Sequence, residues 1–233
     1  MDGEFHQTMY NKTTMPTKKY KNQDAIDYTD KIAVEITGEK FSNCYRDHFF
    51  PLLIEKLGFQ SAVEVGTDQG LFAKHLMEKT NLQRLYCVDP WLDDFGSNHK
   101  PDYYDRDGGN REKDARGNLK EFIDARRCFI LKGFSADIAD NFEDYVDFVY
   151  IDGDHSLEGI YTDLYSWVPK VKSGGIIAGH DYKDGPKSGM QDYWGGQLDY
   201  KVKTVVDNFC QQYGFKLNVV GGRIKSFWFV NNR

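Results

Sequence analysis

The stretch Asp147–Tyr182, DFVYIDGDHSLEGIYTDLYSWVPKVKSGGIIAGHDY, gathers the side chains of this sequence best suited to chemistry. Two apolar runs, Phe148–Ile151 and Ile176–Ala178, each deliver acidic and histidine residues at their carboxyl ends. The segment between them has helical character, so the layout reads as strand, crossover helix, strand. In open parallel sheets, ligands bind outside the carboxyl ends of the strands. Asp152, Asp154, His155, His180 and Asp181 are therefore expected to converge on one rim. Carboxylates and imidazoles gathered in this way are the groups enzymes use to move protons.

The elements that must position them follow from the pattern on either side. Residues 1–30 are polar, without sustained periodicity, and read as a flexible N-terminal tail or linker, leaving 31–233 as a single domain. Phe41–Leu57 is a helix candidate in which Pro51 marks a break. Ser61–Val65 reads as the first strand, Gly70–Lys79 as a helix and Arg84–Val88 as the second strand. A long loop over 92–110 precedes a helix at Asn110–Ala125, a strand at Cys128–Leu131 and a short helix near Ala136–Asn141. After the strand, helix and strand already described, Lys183–Asp199 reads as a second long loop. Tyr200–Tyr213 is a helix, and Lys216–Val220 with Ser226–Val230 a terminal hairpin. Strands alternating with helices imply an α/β fold with a mostly parallel sheet and right-handed crossovers.

Composition narrows the function. The chain has 233 residues, 40% hydrophobic and 28% charged, ordinary for one globular α/β domain. A net charge of −6, with no basic run longer than a pair such as Lys18-Lys19, argues against a nucleic-acid surface. No apolar run approaches the roughly 20 residues of a membrane span, and the N-terminus lacks the apolar core of a signal peptide. Cys44, Cys87, Cys128 and Cys210 are scattered without a CxxC pair, so neither a disulfide framework nor a zinc site is expected. The expected setting is cytoplasmic. The partner is a small molecule or glycan, and both a homo-oligomer and a place within a larger multidomain protein stay open.

Two further motifs complete the picture. Glu64-Val-Gly66-Thr67-Asp68-Gln69-Gly70 leaves the first strand in a glycine-punctuated turn and enters a helix. Gly66 and Gly70 let the backbone turn tightly and approach a ligand. The G-x-G-x-x-G fingerprint is absent, because Asp68 stands at its second glycine, which disfavours a pyrophosphate and hence a dehydrogenase. Asp89 ends the second strand, where an acid can accept both ribose hydroxyls, and Trp91 follows within stacking reach of an adenine.

Together, E-V-G-T-D-Q-G, C-V-D-P-W, I-D-G-D-H-S and G-G-I-I-A-G-H-D-Y resemble the motifs of class I S-adenosylmethionine-dependent methyltransferases, over about Phe41 to Val230. The resemblance is closest to methyltransferase family 24, akin to macrocin-type sugar O-methyltransferases. It implies a Rossmann-like fold whose seven-stranded, mostly parallel sheet ends in an antiparallel strand, with helices on both faces. It places Glu64, Gly66, Thr67 and Gly70 around the methionine part of S-adenosyl-L-methionine, with Asp152 beside them. Asp89 is implied at the ribose, with Pro90 and Trp91 next to it. Gly133, Phe134 and Ser135 would bracket the adenine. It further implies a divalent cation, Mg²⁺ or Mn²⁺, on Asp152, His180 and Asp181. His180 stands where the macrocin-type pattern has Asp, and imidazole suits Mn²⁺, Fe or Zn²⁺ better than Mg²⁺.

The expected reaction is in-line displacement at a sulfonium by a sugar or glycan hydroxyl. Such a hydroxyl is a weak nucleophile until its proton is removed, and Asp154 or His155 would accept that proton. The competing roles are plain. Asp154 could cap the helix that starts near Ser156, His155 could bond backbone at that helix start, and His180 could orient Asp181. Rival functions are O-methylation of a catechol or other phenol, and a non-catalytic cofactor-binding domain.

Overall fold

The structure, a computed structural model, describes residues 23–37, 44–92, 110–191, 197–221 and 224–233. In chain order the elements begin with helices α1 (Gln23–Thr37) and α2 (Arg46–Leu57), then strand β1 (Ser61–Val65) and helix α3 (Leu71–Lys79). Strand β2 (Arg84–Asp89) is followed by helices α4 (Arg111–Asn118) and α5 (Lys120–Asp124). Next come β3 (Cys128–Lys132), α6 (Ser135–Asp140), β4 (Val146–Ile151), α7 (Leu157–Trp167) and β5 (Val171–Gly179). The chain finishes with β6 (Asp184–Gln191), β7 (Gln197–Lys201), α8 (Val202–Tyr213), β8 (Asn218–Val220) and β9 (Ser226–Val230).

Seven strands form one sheet in the order β3-β2-β1-β4-β5-β9-β8. β9 runs antiparallel to both of its neighbours, and the pairs from β3 to β5 are parallel. Alternate side chains of a strand face opposite sides. Ala62 of β1 and Phe148 and Tyr150 of β4 therefore pack with Phe50, Leu53, Phe72 and Leu76 on the α1–α3 side. Val63, Val65, Val149 and Ile151 pack with Ile160, Leu164, Val206 and Phe209 on the α7–α8 side. Apolar demand on both faces explains why these strands read as nearly continuous hydrophobic runs. From β1 the chain moves outward through β2 and β3, then returns to the other side of β1 as β4. The carboxyl ends of β1 and β4 thus flank the switch point at which open α/β sheets bind ligands.

Four expectations need correction or refinement. Residues 23–30, expected in the tail, form the first turns of α1, whose Ile26, Thr29, Ile32 and Ala33 are buried at helical spacing. Pro51 does not break α2. It lacks the N–H that would bond the Asp47 carbonyl, and His75 of α3 supplies that carbonyl with a partner at 2.7 Å. The helix expected over 110–125 is divided at Leu119, where φ is −99° and ψ 3°. The loop expected over 183–199 contains an antiparallel pair, β6 with β7, outside the main sheet. Asp184 fastens this hairpin by accepting the Thr204 backbone N–H at 3.0 Å and its hydroxyl at 2.7 Å. Residues 1–22 of the expected tail, 93–109 of the first expected long loop and 192–196 of the second lie outside the described residues.

Candidate active site at the carboxyl ends of the strands

β4 ends at Ile151 and β5 at Gly179, paired in register, so the residues that follow them emerge side by side. Asp152, His155, His180 and Asp181 come together there. His155 Nε2 is 3.4 Å from Asp152 Oδ1 and 3.4 Å from Asp181 Oδ2. His180 Nδ1 faces the same two oxygens at 3.6 Å and 3.9 Å. His155 Nε2 is buried, lies within ion-pair range of both acids, and makes a formed hydrogen bond with neither. Burial works to raise the Asp152 pKa, but the neighbouring His155 and His180 imidazoles outweigh it and hold the carboxyl well below the usual range.

Asp152, His155 and Asp181 can each aim one ligand atom at a common point, all within 4.8 Å of one another. Metal–oxygen and metal–nitrogen bonds of about 2.0–2.2 Å put adjacent ligand atoms about 3–3.5 Å apart, so this donor set fits a divalent cation. The expected third ligand was His180, and His155 is the nearer imidazole. Asp154, expected to accept the proton, is exposed, and its two oxygens accept the Ser156 backbone N–H and hydroxyl, each at 2.9 Å. Ser156 itself caps α7 by accepting from Gly159 N at 3.1 Å. Ser156, and not Asp154, is thus the cap of α7, and Asp154 holds that capping residue in place.

The other half of the rim is the turn after β1. Gly66 has φ +85°, and a Cβ there would sit 2.2 Å from the Asp152 carbonyl oxygen, so the two strand ends can touch only because this residue is glycine. Gly70, at φ +72°, precedes α3. Glu64 is 3% exposed, and its Oε2 is buried without a hydrogen-bond partner, as is the Thr67 hydroxyl. Burial pushes the Glu64 carboxyl well above its ordinary pKa. A cationic ligand donating hydrogen bonds would relieve both deficits, which the ammonium of a methionine moiety can do.

Asp89 is buried and accepts the Asp68 backbone N–H on Oδ2 at 2.9 Å and the Trp91 backbone N–H on Oδ1 at 2.8 Å. Asp89 thus ends β2 beside the turn after β1, the position from which an acid reaches a ribose in such sheets. Pro90 is half-buried. Trp91 is 1% exposed, its indole N–H bonded to the Asp68 carbonyl at 2.8 Å, so it fastens the β1 turn from beneath. Gly133 bonds the Asp89 carbonyl, Phe134 is half-exposed at the start of α6, and Ser135 accepts from Trp167 Nε1 at 2.8 Å.

Several residues at the site carried no signal in the sequence. Arg46, the first residue of α2, donates through Nη1 to Asp152 Oδ2 at 2.9 Å and to the Tyr150 hydroxyl at 3.2 Å. Lys183 Nζ lies 3.0 Å from Asp181 Oδ1 and 4.5 Å from the Tyr200 ring centre. Tyr200 meets the His155 ring edge-on at 4.8 Å. The β6–β7 hairpin thereby forms one wall of the site, and Lys201 N bonds the His155 carbonyl at 3.0 Å. Only the basic residue type, common on any surface, could have suggested Arg46 or Lys183.

An open sheet of this order, with an acid-bearing glycine turn after β1 and an acid ending β2, defines a Rossmann-like class I methyltransferase fold. The model of methyltransferase family 24, described as a methyltransferase domain, matches residues 63–182, and the chain belongs to that family. Among curated proteins it is similar to uncharacterized protein R132 of Acanthamoeba polyphaga mimivirus. The two are 26% identical over 167 residues, covering 68% of this chain and 66%, just under two thirds, of that protein. Among solved structures it resembles the Bacillus cereus O-methyltransferase in complex with SAH, with TM-score 0.54, 12% identity, and 97% and 96% of the chains covered. It also resembles cofactor-bound Rv0187 from MTB, with TM-score 0.57, 14% identity, and 99% and 96% covered. Among the described residues no helix is long and apolar enough to cross a membrane.

Proposed function

We propose that this methyltransferase transfers the methyl group of S-adenosylmethionine to a hydroxyl oxygen of a sugar or glycan, with a divalent cation held at the carboxyl ends of β4 and β5. The observation that carries the reading is the meeting of Asp152, His155, His180 and Asp181 around a shared point. A methyl acceptor that is already nucleophilic has no use for two acids and two imidazoles, whereas an alcohol must lose a proton as it attacks. The sugar class rests on the sequence resemblance, and the Bacillus cereus O-methyltransferase among the structural neighbours is consistent with an oxygen acceptor.

In this reading Glu64 and Thr67 receive the ammonium end of the cofactor, Asp89 its ribose, and Phe134 and Ser135 flank its base. The cofactor supplies the electrophilic methyl group. Asp152, His155 and Asp181 hold the cation, which supplies positive charge that eases loss of the acceptor's proton. His180, the remaining imidazole, accepts that proton. An imidazole in the donor set favours Mn²⁺ over Mg²⁺.

The test is transfer of labelled methyl from S-adenosylmethionine to a panel of monosaccharides, nucleotide sugars and catechols, with and without EDTA. The reading expects label on a sugar hydroxyl, loss of transfer with EDTA, and recovery best with Mn²⁺. Transfer restricted to catechols would replace the acceptor class, and undiminished transfer in metal-stripped protein would remove the cation. His155→Ala is expected to lose Mn²⁺ affinity. His180→Ala is expected to keep that affinity and lose turnover by about 10²–10⁴-fold.

A further inference from the structure

The two acids of the cluster are held in the same way from opposite sides. Asp152 gives Oδ2 to Arg46 and turns Oδ1 to the histidines, while Asp181 gives Oδ1 to Lys183 and turns Oδ2 to them. The Arg46 guanidinium is itself fixed at several points: Nη1 bridges Asp152 and the Tyr150 hydroxyl, and the group lies over the Phe72 ring, 4.7 Å from its centre. The Tyr150 hydroxyl also stands 3.4 Å from Ser226 Oγ on β9. Lys183 touches the site twice, once at Asp181 and once through Tyr200, whose ring abuts His155. Both basic residues lie outside residues 63–182, the span matched by the family model. They come from α2, before it, and from the approach to the β6–β7 hairpin, after it.

A free carboxylate can rotate and offer both oxygens to a cation or an imidazole. One whose second oxygen is bound to a fixed cation cannot. We propose that Arg46 and Lys183 are positioning residues that clamp one oxygen of each acid, so that Asp152 and Asp181 each present a single, oriented oxygen to the His155 Nε2 point. This rests on the reading of that point as the working centre of the site. Arg46 acts through Asp152, and Lys183 through Asp181 and Tyr200. The span matched by the family model supplies the acids, and the flanking segments set their geometry.

The test follows His155 directly, in full-length protein labelled with ¹⁵N-histidine, its ring signals assigned by their loss in His155→Ala. Asp152→Asn and Asp181→Asn define the displacement of those signals when an acid is lost. Arg46→Met and Lys183→Met are expected to move the His155 ring signals in the direction of the Asn variants, and Arg46→Lys and Lys183→Arg to return them towards wild type. Mn²⁺ affinity, read by calorimetry, is expected to fall about 10–100-fold in the Met variants, the usual loss when a ligand's supporting contact is removed. Thermal melting checks that each variant is folded, and Arg46→Gln replaces Arg46→Met if the latter is not. A merely structural role would lower the melting temperature and leave the His155 signals in place. His155 signals and Mn²⁺ affinity unmoved by the Met variants, but moved by the Asn variants, would overturn the clamp alone. If the Asn variants also moved neither, the cluster reading would fall with it.

Discussion

At the residue scale, the informative groups are buried and ionisable, because burial without a full set of partners needs a reason. Asp163 of α7 is one beyond the cluster of Asp152, His155, His180 and Asp181. Burial, with the Ser135 hydroxyl working against it, pushes its carboxyl up to about 7 from an ordinary value of 3.8. The folded state therefore keeps this proton after the unfolded chain has released it. Stability must fall as pH rises from about 4 to about 7, and the loss is complete above that. The ceiling is roughly 4 kcal/mol, from about three pH units at about 1.4 kcal/mol each. Asp163→Asn removes the titration, so urea melts at pH 5 and pH 8 should show the variant gaining on wild type at the higher pH. An equal difference at both would mean that Asp163 is not held protonated. The sequence made Asp152, His155, His180 and Asp181 legible because strand ends announce them. It could not announce the partner of each, since Arg46 lies more than a hundred positions before Asp152.

At the element scale, α2 shows how a local rule is overridden by a distant one. Pro51 costs the helix a hydrogen bond, which reads as a break, but the orphaned Asp47 carbonyl is taken by His75 of α3. His75→Ala should therefore destabilise the protein by about 1 kcal/mol. In a Pro51→Ala background, where the helix N–H is restored, the same change should cost measurably less. Equal costs in a double-mutant cycle would show that the two are uncoupled. The main-sheet strands were legible because sheets buried on both faces demand apolar runs. The β6–β7 hairpin was not, because its Gly- and Pro-containing sequence carries no apolar alternation and its stability comes from pairing and from Asp184 at α8. Helix α1 was missed because its buried face is small, Ile26, Thr29, Ile32 and Ala33, on a background of polar residues.

At the scale of the whole molecule, the residues proposed for the cofactor and those proposed for the acceptor stand on the two sides of the sheet's switch point, and they meet where Gly66 closely approaches the Asp152 backbone. β1 and β2 carry the orphaned Glu64 and Thr67 with Asp89, and β4 and β5 carry the two acids and two imidazoles. This division predicts that the halves can be disabled separately. The measurement that tests it most directly pairs calorimetric titration of S-adenosylhomocysteine with the rate of methyl transfer to the best sugar acceptor, in wild type and in Asp181→Asn. The account predicts unchanged affinity for the product cofactor with transfer reduced by about 10²–10⁴-fold. Transfer at the wild-type rate in Asp181→Asn, with the variant folded and binding the cofactor, would contradict it.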